Sequence, residues 1–217
     1  MVGTTGLTGL SGIMSSLPIH AVMTDDPMRA RMLASHWLDN AKVLYELRGM
    51  IGYTGSYKGA SIALLSTGYG ESSALMYLQD ARLLGMQRVF YMGECVSRIP
   101  GIKLRDVILV KGGDASLMQC ALSVAEQFAI AVASHSVTTC DRIFLDGDII
   151  PGDIVDFASG AVAEFAAEHG IAAVSVLTVS QNTATGVRIE EHERQSRFNA
   201  ASQLVFEALA IDTGNSE

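Results

Sequence analysis

The chain has 217 residues, 49% of them hydrophobic and 18% charged, enough to build a core and too apolar for a disordered chain. A formal net charge of −8, with no basic stripe interleaved with aromatics, argues against a nucleic-acid partner and against attraction to anionic membranes. Three cysteines (Cys95, Cys120, Cys140) form no C-x-x-C pair, which points to a reduced, cytoplasmic setting.

The first 17 residues are rich in Gly, Ser and Thr, lack the basic start and apolar run of a signal peptide, and read as a flexible arm. Ile19 to Thr24 reads as a first strand. Asp25 and Asp26 before Pro27 open a helix that runs to about Trp37. Gly49 to Ser66 contains two β-rich runs around a Lys-Gly turn, the pattern of a hairpin. After Gly68-Tyr69-Gly70, the spacing of Ala74, Leu75, Leu78, Ala81 and Leu84 predicts a helix with one apolar face. Arg88 to Gly93 and Leu104 to Lys111 read as strands, the second ending at Gly112-Gly113. Ser116 to Ala129 is helical by pattern, and Ala131 to Val137 extended. Ser159 to Glu168 is a helix stopped by Gly170, and Ala172 to Val179 is a strongly buried strand. Glu190 to Ala210 reads as a closing helix with Phe198, Ala201, Val205 and Ala208 or Leu209 inward.

Alternating strands and helices predict an α/β domain with a central mixed sheet surrounded by helices. No linker divides the chain, so residues 1–17 are an arm and 18–212 one domain. No uninterrupted apolar stretch is long enough to span a membrane. The five histidines (His20, His36, His135, His169, His192) include no pair four residues apart, so no metal is expected, and no cofactor is either. Gly68-Tyr69-Gly70 has Ser73 where a dinucleotide fingerprint needs its third glycine. Cys95 and Cys140 read more simply as packing residues than as nucleophiles. His135 is open to two readings, a satisfied core residue or a neighbour of the ligand.

Six segments occur in an informative order. They are DDPMRA (Asp25 to Ala30), ELRGMIGYTGSYKG (Glu46 to Gly59), GYGESSALMY (Gly68 to Tyr77), RVFYMGECVSRIPGIKLRDV (Arg88 to Val107), SVLTVSQN (Ser175 to Asn182) and ERQSRFN (Glu193 to Asn199). Over roughly residues 19 to 210 this series resembles the hexameric, bacterial-type purine nucleoside phosphorylases. The resemblance implies a barrel-like central sheet, a homo-oligomer between dimer and hexamer, and a nucleoside-like small-molecule ligand. The family cleaves an N-glycosidic bond with phosphate as nucleophile. That chemistry needs cationic and N–H donors for the phosphate, a carboxylate for the ribose hydroxyls and an acid for the departing base.

By that resemblance Arg29 matches a phosphate-binding arginine, and Arg48 one that is lent across a subunit boundary. Gly93 keeps the turn after its strand, and Arg194 matches an arginine beside the catalytic aspartate. Other positions depart from the pattern. Asp25 replaces a loop glycine, Tyr91 a strand arginine and Glu94 a serine, so two carboxylates arrive where phosphate would sit. Arg29 and Arg48 are then expected to pair with them. In VDFAS (Val155 to Ser159), Asp156 and Phe157 replace a glutamate and a methionine, and Ala158 the ribose-binding glutamate. Gln181 replaces the acid, next to Ser180; glutamine donates a hydrogen bond but delivers no proton at neutral pH. The loop between Lys111 and Ala115 is short against the family. Tyr69, Tyr91 and Phe157 form a candidate aromatic wall, which core packing explains equally well.

These residues point to cleavage of a nucleoside-like bond with water in place of phosphate, Glu94 or Asp25 acting as general base. Two alternatives stand beside it: a non-catalytic relative that binds a ligand or associates with an active paralogue, and ordinary purine nucleoside phosphorolysis.

Overall fold

A computed structural model describes residues 7–10, 16–141, 152–190, 192–193 and 198–214. In chain order the elements are β1 (His20–Thr24), α1 (Pro27–Trp37), β2 (Asp39–Leu47), β3 (Met50–Tyr57), β4 (Ala60–Ser66), α2 (Glu71–Leu83), β5 (Arg88–Ser97), β6 (Val107–Val110), α3 (Ala115–Gln127), β7 (Val132–His135), β8 (Thr138–Thr139), β9 (Ile154–Asp156), α4 (Ser159–His169), β10 (Ala172–Asn182), β11 (Val187–Arg188) and α5 (Asn199–Gly214). They form one 11-stranded mixed sheet with main order β2-β3-β4-β1-β5-β10-β6-β7.

The middle of the sheet, β4-β1-β5-β10, is parallel throughout. These strands are buried on both faces, which accounts for their continuous apolar runs. One apolar layer joins Val22, Phe90, Met92 and Val176 to α1, α3 and α5 through Leu33, Leu117, Val124, Leu204 and Val205. The opposite layer joins Ala21, Met23, Val89 and Leu177 to α2 and α4 through Ala74, Leu78 and Val162. The alternation along each strand thus sends successive side chains into two separate cores.

Local signals explain most boundaries. Asp26 caps α1, its carboxylate accepting from the Met28 amide at 2.7 Å, with Pro27 in the first turn. β3 and β4 pair from Gly52↔Leu65 to Tyr57↔Ala60 around Lys58 and Gly59, both with positive φ, as a two-residue hairpin requires. α4 ends at Gly170 in the left-handed conformation.

Several expectations are corrected. The closing helix starts at Asn199, and Glu190 lies outside any helix. Of the described residues before it, Ile189 and Phe198 are non-helical and enter the core, while His192 and Glu193 form a separate helical stretch in which Glu193 accepts from Arg105 at 2.5 Å. The strand expected from Leu104 begins at Val107, because Arg105 has a φ of 71° and the Asp106 carboxylate accepts from the Lys103 amide across a tight turn. β5 and β10 run on to Ser97 and Asn182, and the edge strand β2 was not anticipated.

Within the opening segment, residues 7–10 lie on α2. The buried Asp80 carboxylate accepts from the Leu7 and Thr8 amides at 2.8 and 2.9 Å and from the Thr8 hydroxyl. Leu10 is fully buried. At the other end, Asp212 on α5 is held by Arg88 in a two-pronged ion pair and by His20 at 3.0 Å.

Candidate active site

Open parallel sheets place their functional groups beyond the carboxyl ends of the strands. That is where β1, β4, β5 and β10 converge here. β1 ends at Thr24, and the chain turns through Asp25 into α1, bringing Arg29 back over the strand end. Glu94 follows from β5, whose register sets Met92 against Thr24 and Glu94 against Thr178 of β10.

Asp25, Arg29 and Glu94 form a buried cluster, with Asp25 and Arg29 fully inaccessible and Glu94 2% exposed. Arg29 Nη1 binds Asp25 Oδ1, Arg29 Nη2 lies 3.8 Å from Glu94 Oε1, and Thr24 Oγ1 accepts from Nη1 at 3.2 Å. The guanidinium carbon sits 4.4 Å from the centre of the Phe198 ring. Burial and the fields of Glu94 and Asp26 outweigh Arg29 and raise the Asp25 carboxyl to about 6. For Arg29, burial opposes the charge, but Asp25 and Glu94 together hold it more firmly protonated than usual. Asp25 Oδ2 has no hydrogen-bond partner among the described residues.

Tyr69, 47% exposed, donates from its hydroxyl to Glu94 Oε1 at 2.9 Å and meets Phe157 edge-on, with ring centres 5.5 Å apart. Tyr69, Gly70, Asp141 and Phe157 line an open cavity of about 340 Å³. Burial, then Asp25 and Glu94, keep the Tyr69 phenol protonated far above neutrality.

The remaining expected site residues fall in different places. Tyr91 is 1% exposed and packs in the α2 and α4 core, so only Tyr69 and Phe157 of the aromatic trio meet at the cavity. Gly93 makes room for Tyr91, since a Cβ there would lie 2.9 Å from the Tyr91 ring. Asp156 is fully buried and holds the start of α4, accepting from the Ser159 amide and the Thr139 hydroxyl, both at 2.7 Å. Ala158 is buried beside it. Gln181 sits half-buried at the far end of β10, just past an irregularity in the pairing, and buried Ser180 donates to the Cys95 carbonyl at 3.3 Å. Arg48 is exposed in the turn before β3 and donates to the Thr8 carbonyl at 3.1 Å, so of the two arginines expected to meet the new carboxylates, Arg29 does. Arg194 lies outside the described residues. His135 is in β7, four strands from β1 in the sheet.

Sequence reasoning missed Thr24, Phe198 as a ring under Arg29, and Asp141. Thr24 was accessible as the residue before Asp25. Asp141 had no local signal: it reaches across the fold to accept from the Glu71 amide at 2.9 Å, serving the start of α2 in place of a side-chain cap. Among the described residues no group of three or more His, Cys, Asp or Glu side chains is placed to hold a metal, and no helix is long and apolar enough to cross a membrane.

No protein-family model matches the chain. Among curated proteins it is 30% identical to a DeoD-type purine nucleoside phosphorylase of Geobacillus kaustophilus over 224 aligned positions, covering 89% of this chain and 93% of that one. It is 29% identical to the corresponding protein of Bacillus subtilis, over 87% of this chain and 93% of the relative. Among solved structures, a purine nucleoside phosphorylase from Toxoplasma gondii in complex with immucillin-H superposes with a TM-score of 0.82 at 17% identity, over 92% of this chain and 93% of the other.

Proposed function

This chain belongs to the DeoD-type purine nucleoside phosphorylase family, and on that premise we propose that it cleaves the N-glycosidic bond of a nucleoside-like small molecule with water in place of phosphate. The observation that carries the reading is the enclosure of Arg29 by two buried carboxylates. The guanidinium that would receive a phosphate dianion is already neutralised from within the chain. A further anion about 4 Å from either carboxylate meets a repulsion of about 4 kcal/mol at an effective dielectric of 20. Water carries no such charge, and a carboxylate can take its proton.

Asp25, raised to about 6, has a proton affinity suited to general-base work near neutral pH. Glu94, through the Tyr69 hydroxyl, ties the buried cluster to the open cavity. The reading extends to a cytoplasmic homo-oligomer built from one domain over residues 18–212, in keeping with cysteines that form no C-x-x-C pair and an exposed edge strand β2 carrying Val43.

A second reading, a ligand-binding relative without catalysis, is favoured by Ala158 and by the burial of Asp25. One experiment separates them. The purified protein is incubated with a panel of nucleosides with and without inorganic phosphate, and free base, free sugar and sugar 1-phosphate are quantified. Free sugar formed independently of phosphate is the expected result. Sugar 1-phosphate that rises with added phosphate would overturn the hydrolytic reading, and saturable nucleoside binding without any product would establish the second.

A further inference from the structure

Hydrolysis at this site requires water to reach the Asp25 carboxylate. Yet Asp25 is fully buried, and its Oδ2 has no hydrogen-bond partner among the described residues. Tyr69 belongs both to the surface and to the buried cluster. Its ring lines the cavity of about 340 Å³ with Gly70, Asp141 and Phe157, while its hydroxyl reaches inward to Glu94 Oε1 at 2.9 Å. The same Glu94 oxygen lies 3.8 Å from Arg29 Nη2, and Arg29 in turn binds Asp25. A side chain that is 47% exposed thus closes onto a carboxylate that is 2% exposed.

The loop that carries Tyr69 is anchored at both ends. Before it, the Thr67 amide donates to the Thr24 carbonyl at 2.8 Å, and the Thr67 carbonyl accepts from the Ser73 hydroxyl. After it, the Glu71 amide donates to Asp141 at 2.9 Å. Between the anchors Tyr69 is flanked by Gly68 and Gly70, with φ of 78° and 98°. A Cβ would lie 3.0 Å from Ser73 Oγ at Gly68 and 3.1 Å from Asp141 Oδ1 at Gly70, so both positions need glycine for space as well as for φ. A few loop residues that absorb large changes in φ and ψ are what a hinge consists of. The edge-on contact of Tyr69 with Phe157 separates without breaking a hydrogen bond, so the bond to Glu94 is the polar contact that opening must break.

We infer that Tyr69 is a gate. With its hydroxyl on Glu94, as here, the buried carboxylates are shut off from the cavity; its outward swing on the Gly68 and Gly70 hinges admits water to Asp25. The inference rests on the hydrolytic reading for its purpose, but the motion is measurable without turnover. Tyr69 acts through Glu94 and Asp25 and is a positioning residue.

The test labels carboxyl groups in the intact protein with a water-soluble carbodiimide and glycine ethyl ester. Each site is followed by peptide mass spectrometry, with fragment ions separating Asp25 from Asp26. Asp212, 4% exposed and bonded to His20 and Arg88 at the opposite ends of β1 and β5, is the control for unfolding. Tyr69→Phe keeps the ring and removes the bond to Glu94. Losing one hydrogen bond to a charged group is expected to raise the open fraction, and with it Asp25 labelling, about tenfold or more, while Asp212 keeps the parental rate. Tyr69→Ala, with no ring to close, is expected to label Asp25 at least as fast. Unchanged Asp25 labelling in both variants overturns the inference. So does acceleration of Asp25 and Asp212 in step in Tyr69→Phe, because access then comes by unfolding. Free sugar released from nucleosides without phosphate, measured on the same proteins, separates the two claims. Faster Asp25 labelling with no free sugar keeps the gate and removes the hydrolytic reading; free sugar from the parent with labelling unchanged removes the gate and keeps hydrolysis.

Discussion

Replacing Arg29 by methionine tests the central physical claim, that this arginine is an internal counter-ion. The side chain is fully buried, bonded to Asp25 and 3.8 Å from Glu94. Methionine fills much of the volume but leaves two buried carboxylates without their cation. Breaking a buried pair from one side typically costs about 3–5 kcal/mol. In a chain of this size each kcal/mol shifts the melting temperature by roughly 2–4 °C, so a fall of about 6–20 °C is expected. The loss also has a sign in pH. The field of Arg29 is what holds the Asp25 carboxyl down, so without it Asp25 keeps its proton to higher pH. Protonation relieves the unpaired charge, and the variant's deficit should therefore shrink between about pH 8 and about pH 5. Urea unfolding of both proteins at each pH measures it. Replacing all three side chains by Leu, Met and Leu should cost less than Arg29→Met alone, because no buried charge then remains. A deficit under about 1 kcal/mol at both pH values would mean that Arg29 is not an internal counter-ion.

Four further outcomes follow from the same geometry. The Asp25 carboxyl should titrate near pH 6 in a carbon-detected NMR experiment; since its folded value is raised, its contribution to stability is complete below about pH 4 and is lost as pH rises through about 6, a dependence that Asp25→Asn should remove. Asp80→Ala deletes the acceptor for two amides and a hydroxyl at the opening segment, so proteolytic cleavage ahead of Leu17 should accelerate about tenfold or more. Gly93→Ala brings a methyl to 2.9 Å from the Tyr91 ring and should cost about 1–3 kcal/mol in thermal melts, a loss that Tyr91→Ala in the same chain should not add to in full. Asp25→Gly with Glu94→Ser frees Arg29 from both carboxylates, and calorimetry should then detect inorganic phosphate binding at least about tenfold tighter than in the parent.

The middle of the sheet was legible because parallel strands buried on both faces have few ways to be written. RVFY and AAVSVLTV are apolar runs too short for a helix pair and too dense for a loop. The starts and stops of α1 and α4 were legible for local reasons, Asp26-Pro27 and Gly170. β2 was not, because an edge strand with one buried residue carries no period to read. The over-long closing helix failed where core burial of Ile189 and Phe198 overrides local propensity. At the site, the pairing of Arg29 with Asp25 was readable from i, i+4 spacing in a capped helix, and the motif order put Glu94 nearby. The roles of Asp156 and Tyr91 were not. Motif matching set both at the ligand, while one secures α4 through Ser159 and Thr139 and the other fills the core over Gly93.

The pattern of replacements makes more sense as one electrostatic change than as several losses. A site built for a dianion needs surplus positive charge, and its substrate's base must then be protonated by a separate acid. Here the buried arginine is kept, but two carboxylates neutralise it, and the neighbouring cavity is lined by Asp141 and two aromatic rings. Simple decay would leave Arg29 as a solvated or lost cation, because an unpaired guanidinium in a fully buried position is among the costliest things a fold can keep. Instead Arg29 is hydrogen-bonded to Asp25 and Thr24, lies 3.8 Å from Glu94 and has Phe198 across its face.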